Sequence, residues 1–167
     1  MKLNLIKGGA EDESRQIAVL GAVIGQFNPI ICLEEPTYPR WVKKELYPGD
    51  KFEPGFWRDI QNSYQWRHPL QGQSKVGGAE IFEFLVKKNL LIRSAGLSEL
   101  EAIRKKGPFF FRKYLEGFVF GWKASVESKE KERSVPFVCE ILGNVMISWR
   151  GLTEIWDSRS TALIFRK

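Results

Sequence analysis

Five of the chain's eight prolines, Pro29, Pro36, Pro39, Pro48 and Pro54, fall between residues 28 and 56. Each fixes φ and removes a backbone donor, so neither a long helix nor the interior of a central strand can run through that stretch. Regular structure there must be short. "IICL" fits a brief buried strand, and "YPGD" fits a turn with Pro and Gly where a type II turn needs them. The same stretch carries Tyr38, Trp41, Tyr47, Phe52, Phe56 and Trp57, side chains of the type that anchor protein interfaces or cap a core beneath a loop.

On either side the chain reads as short elements. Lys2 to Lys7 suggests a strand ended by Gly8-Gly9, and "EDES" opens a helix through "RQIAVLGAVIGQF". The run "IAVLGAVIG" fails as a dinucleotide loop, because the three places that need glycine hold Gly21, Val23 and Gln26. Gly21 and Gly25 instead give one helix face a close approach to a neighbour. Pro54 is suited to open a helix through "GFWRDIQNSYQW", with Trp57, Ile60 and Tyr64 at i, i+3 and i+7, stopping before His68-Pro69. "LQGQSKVGG" reads as a mobile loop and "AEIFEFLVKKNLL" as a helix. Ser98 with Glu101 has capping-box spacing for a helix ending at Lys106, and Gly107-Pro108 ends it and begins the next.

From Phe111 onward, Tyr114, Leu115, Phe118, Val119, Trp122 and Val126 fall on a helical stripe of roughly 140°. The stripe predicts buried aromatics, with Arg112–Glu116 and Lys123–Glu127 as ion pairs on the far side. Phe120 and Phe109 lie off the stripe, free to stack on a base or to cover a neighbouring segment. "VPFVCEIL" and "VMISW" around Gly143-Asn144 read as a hairpin on a type II′ turn, with Glu140 opposite Ile147. "LTEIW" and "TALIF" would extend it. The same residues also fit a helical stripe from Val135 to Trp156, which leaves a second reading open. The expected fold is therefore α+β in a single domain, residues 1–167: several helices in the first three quarters, then a C-terminal antiparallel β-meander. The alternative is all-α with a long C-terminal helix.

Charge gives the functional lead. Residues 87–113 hold eight basic side chains against two acids, a local surplus equal to the formal +6 of the whole chain. Arg104, Lys105, Lys106, Arg112 and Lys113 sit around a Gly-Pro junction laid out like a helix-turn-helix, with Lys87 and Lys88 on the helix before it. With little Asn, Gln or Arg available to read base edges, this predicts a non-enzymatic module that contacts nucleic acid phosphates with little sequence preference. The alternative is a protein-interaction module, adaptor or inhibitor, using Tyr38, Trp41, Tyr47 and Trp57 of segment 29–57. A small hydrolase using acids such as Glu34, Glu35, Asp50, Asp59, Glu80 and Glu83 is a third reading.

One histidine, His68, and two separated cysteines, Cys32 and Cys139, do not make a zinc site, and no metal or cofactor is expected. Both thiols sit in apolar runs, and His68 reads as a helix-end residue. With no leader and no span of membrane length, the expected location is cytoplasmic.

Overall fold

The computed structural model describes Gly25 and residues 27–47, 55–73 and 76–167. The strand expected at residues 2–7, the helix through residues 15–27 and the YPGD turn lie outside the described residues, apart from Gly25, Phe27 and Tyr47. Among the described residues there are eleven short strands and three α-helices. The strands are β1 (Ile30–Cys32), β2 (Val42–Glu45), β3 (Trp57–Asp59), β4 (Ser63–Trp66), β5 (Val76–Gly77), β6 (Phe118–Phe120), β7 (Val126–Ser128), β8 (Arg133–Ile141), β9 (Asn144–Gly151), β10 (Ile155–Trp156) and β11 (Ser160–Phe165). The helices are α1 (Gly78–Lys87), α2 (Leu97–Lys106) and α3 (Pro108–Tyr114).

Seven strands form one mixed sheet in the order β2-β7-β8-β6-β11-β4, with β9 on the free edge of β8. Only β6 and β11 run parallel. Strand β8 organises the rest. Along one edge it pairs with β9 over its whole length. Along the other it pairs with β7 near Arg133–Ser134 and with β6 near Phe137–Val138. Between those contacts the chain leaves the ladder in a 3-10 turn, Trp122–Ala124. The sheet therefore forks, one branch continuing through β7 to β2 and the other through β6 to β11 and β4.

Each face of this sheet buries a cluster. On one, α2 and α3 contribute Leu100, Ile103, Phe110 and Phe111, which meet Val119, Val138, Leu163 and Phe165. On the other, α1 contributes Ile81 and Leu85, which gather with Phe120, Trp122, Val135, Ile164 and Trp156. Every residue of β11 is buried, which is why "STALIF" reads as a nearly continuous apolar run: it lies inside the sheet with both faces covered.

The expectation of helices followed by a C-terminal meander is thus overturned. Strands begin at Ile30, and β10 leaves the main sheet to pair with β5 while β11 inserts between β6 and β4. Nor is there a long C-terminal helix, since residues 133–151 form the β8–β9 hairpin. Three local reasons account for the misreadings. Residues 57–66 form β3, a 3-10 turn and β4, because Asp59 caps the turn by accepting from Gln61 N at 2.9 Å and the extended segments on either side find partners in β1 and β11. Helix α3 stops at Tyr114 because the chain turns at Gly117 (φ +67), where a Cβ would lie 2.7 Å from the Arg159 carbonyl oxygen. Phe118 N then donates to that carbonyl and starts the pairing with β11. Within β6, Val119 and Phe120 point to opposite faces and both are fully buried, so Phe120 is core, whereas Phe109 is 58% exposed.

The hairpin turn falls one residue earlier than Gly143-Asn144. Leu142 (φ +50) and Gly143 (φ +81) form a two-residue loop with both φ values positive, a type I′ turn, and Glu140 faces Val145 rather than Ile147. Pro136 explains the register. It has no N–H for the β8–β9 ladder, and this register turns its backbone to the opposite edge, where the break between β6 and β7 leaves a gap and its carbonyl accepts from Gly121 N at 3.0 Å.

The stretch read as a mobile loop is tied down by Gln71, whose side chain accepts from His68 N (2.6 Å) and donates to the carbonyls of Asp157 (2.9 Å) and Ser160 (2.8 Å). His68 follows a strand rather than a helix and is buried against Phe84 and Trp66. Cys139 is buried but Cys32 is exposed, and neither is in a disulfide. Among the described residues no helix is long and apolar enough to cross a membrane.

Two substitutions test this packing. A methyl at Gly78 would meet Trp156 Nε1 at 2.8 Å and Leu152 Cα at 2.9 Å, so Gly78→Ala is expected to lower stability by about 1–3 kcal/mol despite the better helix propensity of Ala. Leu142 is 96% exposed in a left-handed conformation, so Leu142→Asn is expected to raise stability by about 1 kcal/mol. Denaturant midpoints check both.

Candidate functional site: a groove between an edge strand and a helix

The basic residues singled out by charge divide into two groups in space. Arg104, Lys105 and Lys106 end α2, and Arg112 and Lys113 end α3, which follows directly through Gly107 (φ +83). Lys87 and Lys88 lie at the end of α1, whose apolar side packs on the other face of the sheet. Most of these cations have local partners. Lys105 Nζ lies 2.5 Å from Glu34, and Arg112 donates from Nε to Glu140 Oε2 at 2.7 Å within a two-pronged pair. Lys106 donates to the carbonyls of Gly25 (3.0 Å) and Asn28 (3.4 Å), and burial pushes its pKa down. The ammonium of Lys113 sits 5.1 Å from the ring centres of Phe27 and Tyr114, and that of Lys88 5.8 Å from Phe84. The side chains of Arg104 and Lys87 are exposed and make no hydrogen bond or ion pair among the described residues.

The expected ion pairs within one helix are replaced by longer-range ones, because the chain beyond Tyr114 is not helical. Arg112 turns to Glu140, Glu116 to Arg67, and Glu127 to Lys44 and Arg133. The cap of α2 also differs: Glu99, buried, accepts from Gly96 N at 2.9 Å, while Glu101 reaches Thr37 N at 3.5 Å.

The aromatic set of segment 29–57 separates as well. Tyr47 packs against the second cluster, and Trp57 is 61% exposed on β3. Tyr38 and Trp41 come together around Trp149, with ring centres 6.4 and 5.2 Å from it and Trp41 edge-on. That trio stands at one end of a groove of about 360 Å³ lined by Thr37, Pro39, Leu97, Glu101, Arg104, Val145, Met146, Ile147 and Trp149. Arg104 from the basic segment, without an ion pair among the described residues, and two aromatics from the proline-broken segment therefore border the same groove.

The groove has two walls of different kinds. Leu97, Glu101 and Arg104 are spaced i, i+4 and i+7, one face of α2. Val145, Ile147 and Trp149 alternate along β9 and share one side of the strand. Their backbone has a second property. Ile141 and Asn144 close the two-residue loop as a bonded pair, so Met146, Ser148 and Arg150 also bond to β8. Val145, Ile147 and Trp149 then turn their N–H and C=O groups away from β8, and none of those groups has a hydrogen-bond partner among the described residues. Sequence reasoning missed Leu97 and these three β9 residues as a site. The alternation in "VMISW" was visible, but only the tertiary pairing makes β9 an edge.

The acids considered for hydrolysis are dispersed. Glu34 is paired with Lys105, Asp59 caps its turn, Glu80 and Glu83 are exposed on α1, and Asp50 lies outside the described residues. No group of three or more His, Cys, Asp or Glu residues is placed to hold a metal ion among the described residues. Comparison with protein-family models, with curated proteins and with solved structures found no match.

Glu140 faces Val145 from β8, outside the groove lining itself. The hydrogen bond from Arg112 is the main cause that holds its carboxyl below the usual range, and the pair's charges and the Gly143 backbone add to it. The folded chain therefore binds fewer protons here than the unfolded chain. The pair's contribution is fully present above the unfolded value of about 4.3 and is lost as pH falls through the lower folded value. The stability difference between the native chain and Glu140→Gln should stay constant from neutral pH down to about pH 5 and close below about pH 4, measured by denaturant midpoints across that range.

Proposed function

We propose that the chain is a protein-interaction module that binds an extended peptide segment by strand addition to β9, in the groove beside α2. The observation that carries this reading is the outer edge of β9 at Val145, Ile147 and Trp149, unpaired among the described residues and directly above side-chain space walled by a helix. Exposed edges are ordinarily protected by proline, lysine, a bulge or shortness. Strand β9 is eight residues long with unbroken register to β8, and its one charge, Arg150, is drawn aside to Glu154 at 3.1 Å. Main-chain bonds to an added strand would supply affinity at about 0.5–1.5 kcal/mol each, and the groove would select alternate side chains. A cytoplasmic location goes with this reading, in keeping with two cysteines outside any disulfide.

A second reading keeps the charge. Arg104 and Lys87 are exposed and unpaired among the described residues, so they are the cations most available to a phosphate backbone, with Lys88, Lys105, Lys106, Arg112 and Lys113 around them. Contacts of that kind would bind nucleic acid with little sequence preference and strong salt dependence.

The two readings separate cleanly. Panning the protein against a random nonapeptide phage library is expected to enrich sequences with alternating apolar residues. Val145→Pro removes an outward N–H while leaving the β8 ladder intact, and should weaken the selected peptides at least about tenfold with unchanged circular dichroism. Equal binding to the proline variant overturns strand addition. Binding of labelled oligothymidylate near about 50 mM salt, lost on combined Lys87→Glu and Arg104→Glu, would mark the phosphate reading instead.

A further inference from the structure

We infer that the segment received at β9 carries an acidic side chain at one end and a large apolar side chain four residues away, the acid meeting Arg104 and the apolar group meeting Trp149. This rests on the strand-addition reading and goes beyond it by naming the partner's chemistry.

The two ends of the groove can be told apart. Helix α2 begins at the Trp149 end: Gly121 lies so close to Leu100 that a Cβ would be 3.0 Å from its Cδ1, and Gly121 N donates to the carbonyl of Pro136, which faces Trp149 across the hairpin. Helix α3 lies at the other end, because Arg112 grips Glu140, which faces Val145. Helix α2 thus runs opposite to β9, and Arg104, in its last turn, stands toward Val145.

Charge then decides what each end accepts. At the Val145 end Glu34 is engaged by Lys105 and Glu140 by Arg112, whereas Glu101, one helical turn before Arg104, is set back toward Trp149, where Thr37 N donates to it at 3.5 Å. Arg104 has no carboxylate within ion-pair distance among the described residues, and the groove's one acid, Glu101, lies a helical turn behind it, so the charge nearest Val145 is positive. A basic side chain in that place would meet Arg104 before it met Glu101. At the other end Trp149, with Trp41 edge-on to it and Leu97 beside it, offers an apolar wall. Val145 and Trp149 are four residues apart on one strand, about 13 Å at roughly 3.3 Å per residue. An added strand advances at the same rate, and its groove-facing positions alternate. Acid and apolar anchor therefore fall at an even separation of four.

Peptides selected by display supply the probe. Each is synthesised with Glu, Gln or Lys at the charged position and titrated against the native chain and Arg104→Glu. The Glu form should bind the native chain about tenfold more tightly than the Gln form, and Arg104→Glu should reverse the order in favour of Lys. Versions N-methylated on alternate amides separate the two claims. Binding that is lost on methylation but indifferent to Glu, Gln or Lys leaves strand addition standing and overturns the acidic preference. Acid-dependent binding that survives methylation overturns strand addition, and the four-residue spacing with it. A library that yields no binder overturns both.

Discussion

The molecule depends on the way one strand, β8, is shared among three neighbours. A nine-residue strand can be flanked on both sides only if each edge finds partners, and the segment 118–128 supplies them in two pieces instead of one. The interruption at Trp122–Ala124 follows from packing. Trp122 is almost fully buried and packs at a tilt against Phe120 and Trp156, with ring centres 6.2 and 4.9 Å away. Burying side chains of this size stabilises the fold by about 1.5–3 kcal/mol each, more than the one or two ladder bonds given up. The fork of the sheet, the tolerance of Pro136 within a strand and the isolation of β9 on the opposite edge all follow from that break.

The sequence made some of this legible. Apolar periodicity identified a helix in "AEIFEFLVKKNLL", Gly107-Pro108 as a junction, and Leu115, Val119, Trp122 and Val126 as buried. Those four are buried, but Phe120 and Lys123, placed off the stripe, are buried too, and Tyr114 and Phe118 are only partly so. The chain beyond Leu115 is strand and 3-10 turn instead of helix. A run in which residues on both faces of a strand are buried presents no period-2 pattern, so Phe118 to Val126 mimics a helical stripe over a short window. What ends α3 is a contact between Gly117 and Arg159, forty-two residues away in the chain, and no local pattern could have announced it.

Electrostatics were read in the same partial way. The surplus of positive charge in residues 87–113 is real as composition, but the groups that answer it come from distant segments. Glu34 reaches Lys105 across 71 residues of chain and Glu140 reaches Arg112 across 28. Local counting finds where charge enters the chain, whereas the fold decides which cation is left over. The candidate groove was therefore legible in its ingredients, Arg104 from one stretch and Tyr38 and Trp41 from another, and illegible as a place. Its other wall is an edge only because β8 takes its second set of partners elsewhere.

The same economy bears on how such a groove would bind. An edge strand contributes affinity only to the extent that it is held in extended form before the partner arrives, since ordering either side opposes association. Strand β9 is held by eight paired residues of β8 and a two-residue loop. The facing helix is fixed by the buried Leu97, Leu100 and Ile103 and by Glu99 closing back onto Gly96. Both walls are thus rigid parts of the core, and the conformational cost of docking falls on the incoming segment alone. The cost to the protein lies elsewhere: an unguarded edge is also open to copies of itself. Arg104 at the mouth bears on that hazard, because a second β9 brings Val145, Ile147 and Trp149 but no free carboxylate to meet it. A positive charge beside an exposed ladder can favour an acidic strand and disfavour the chain's own.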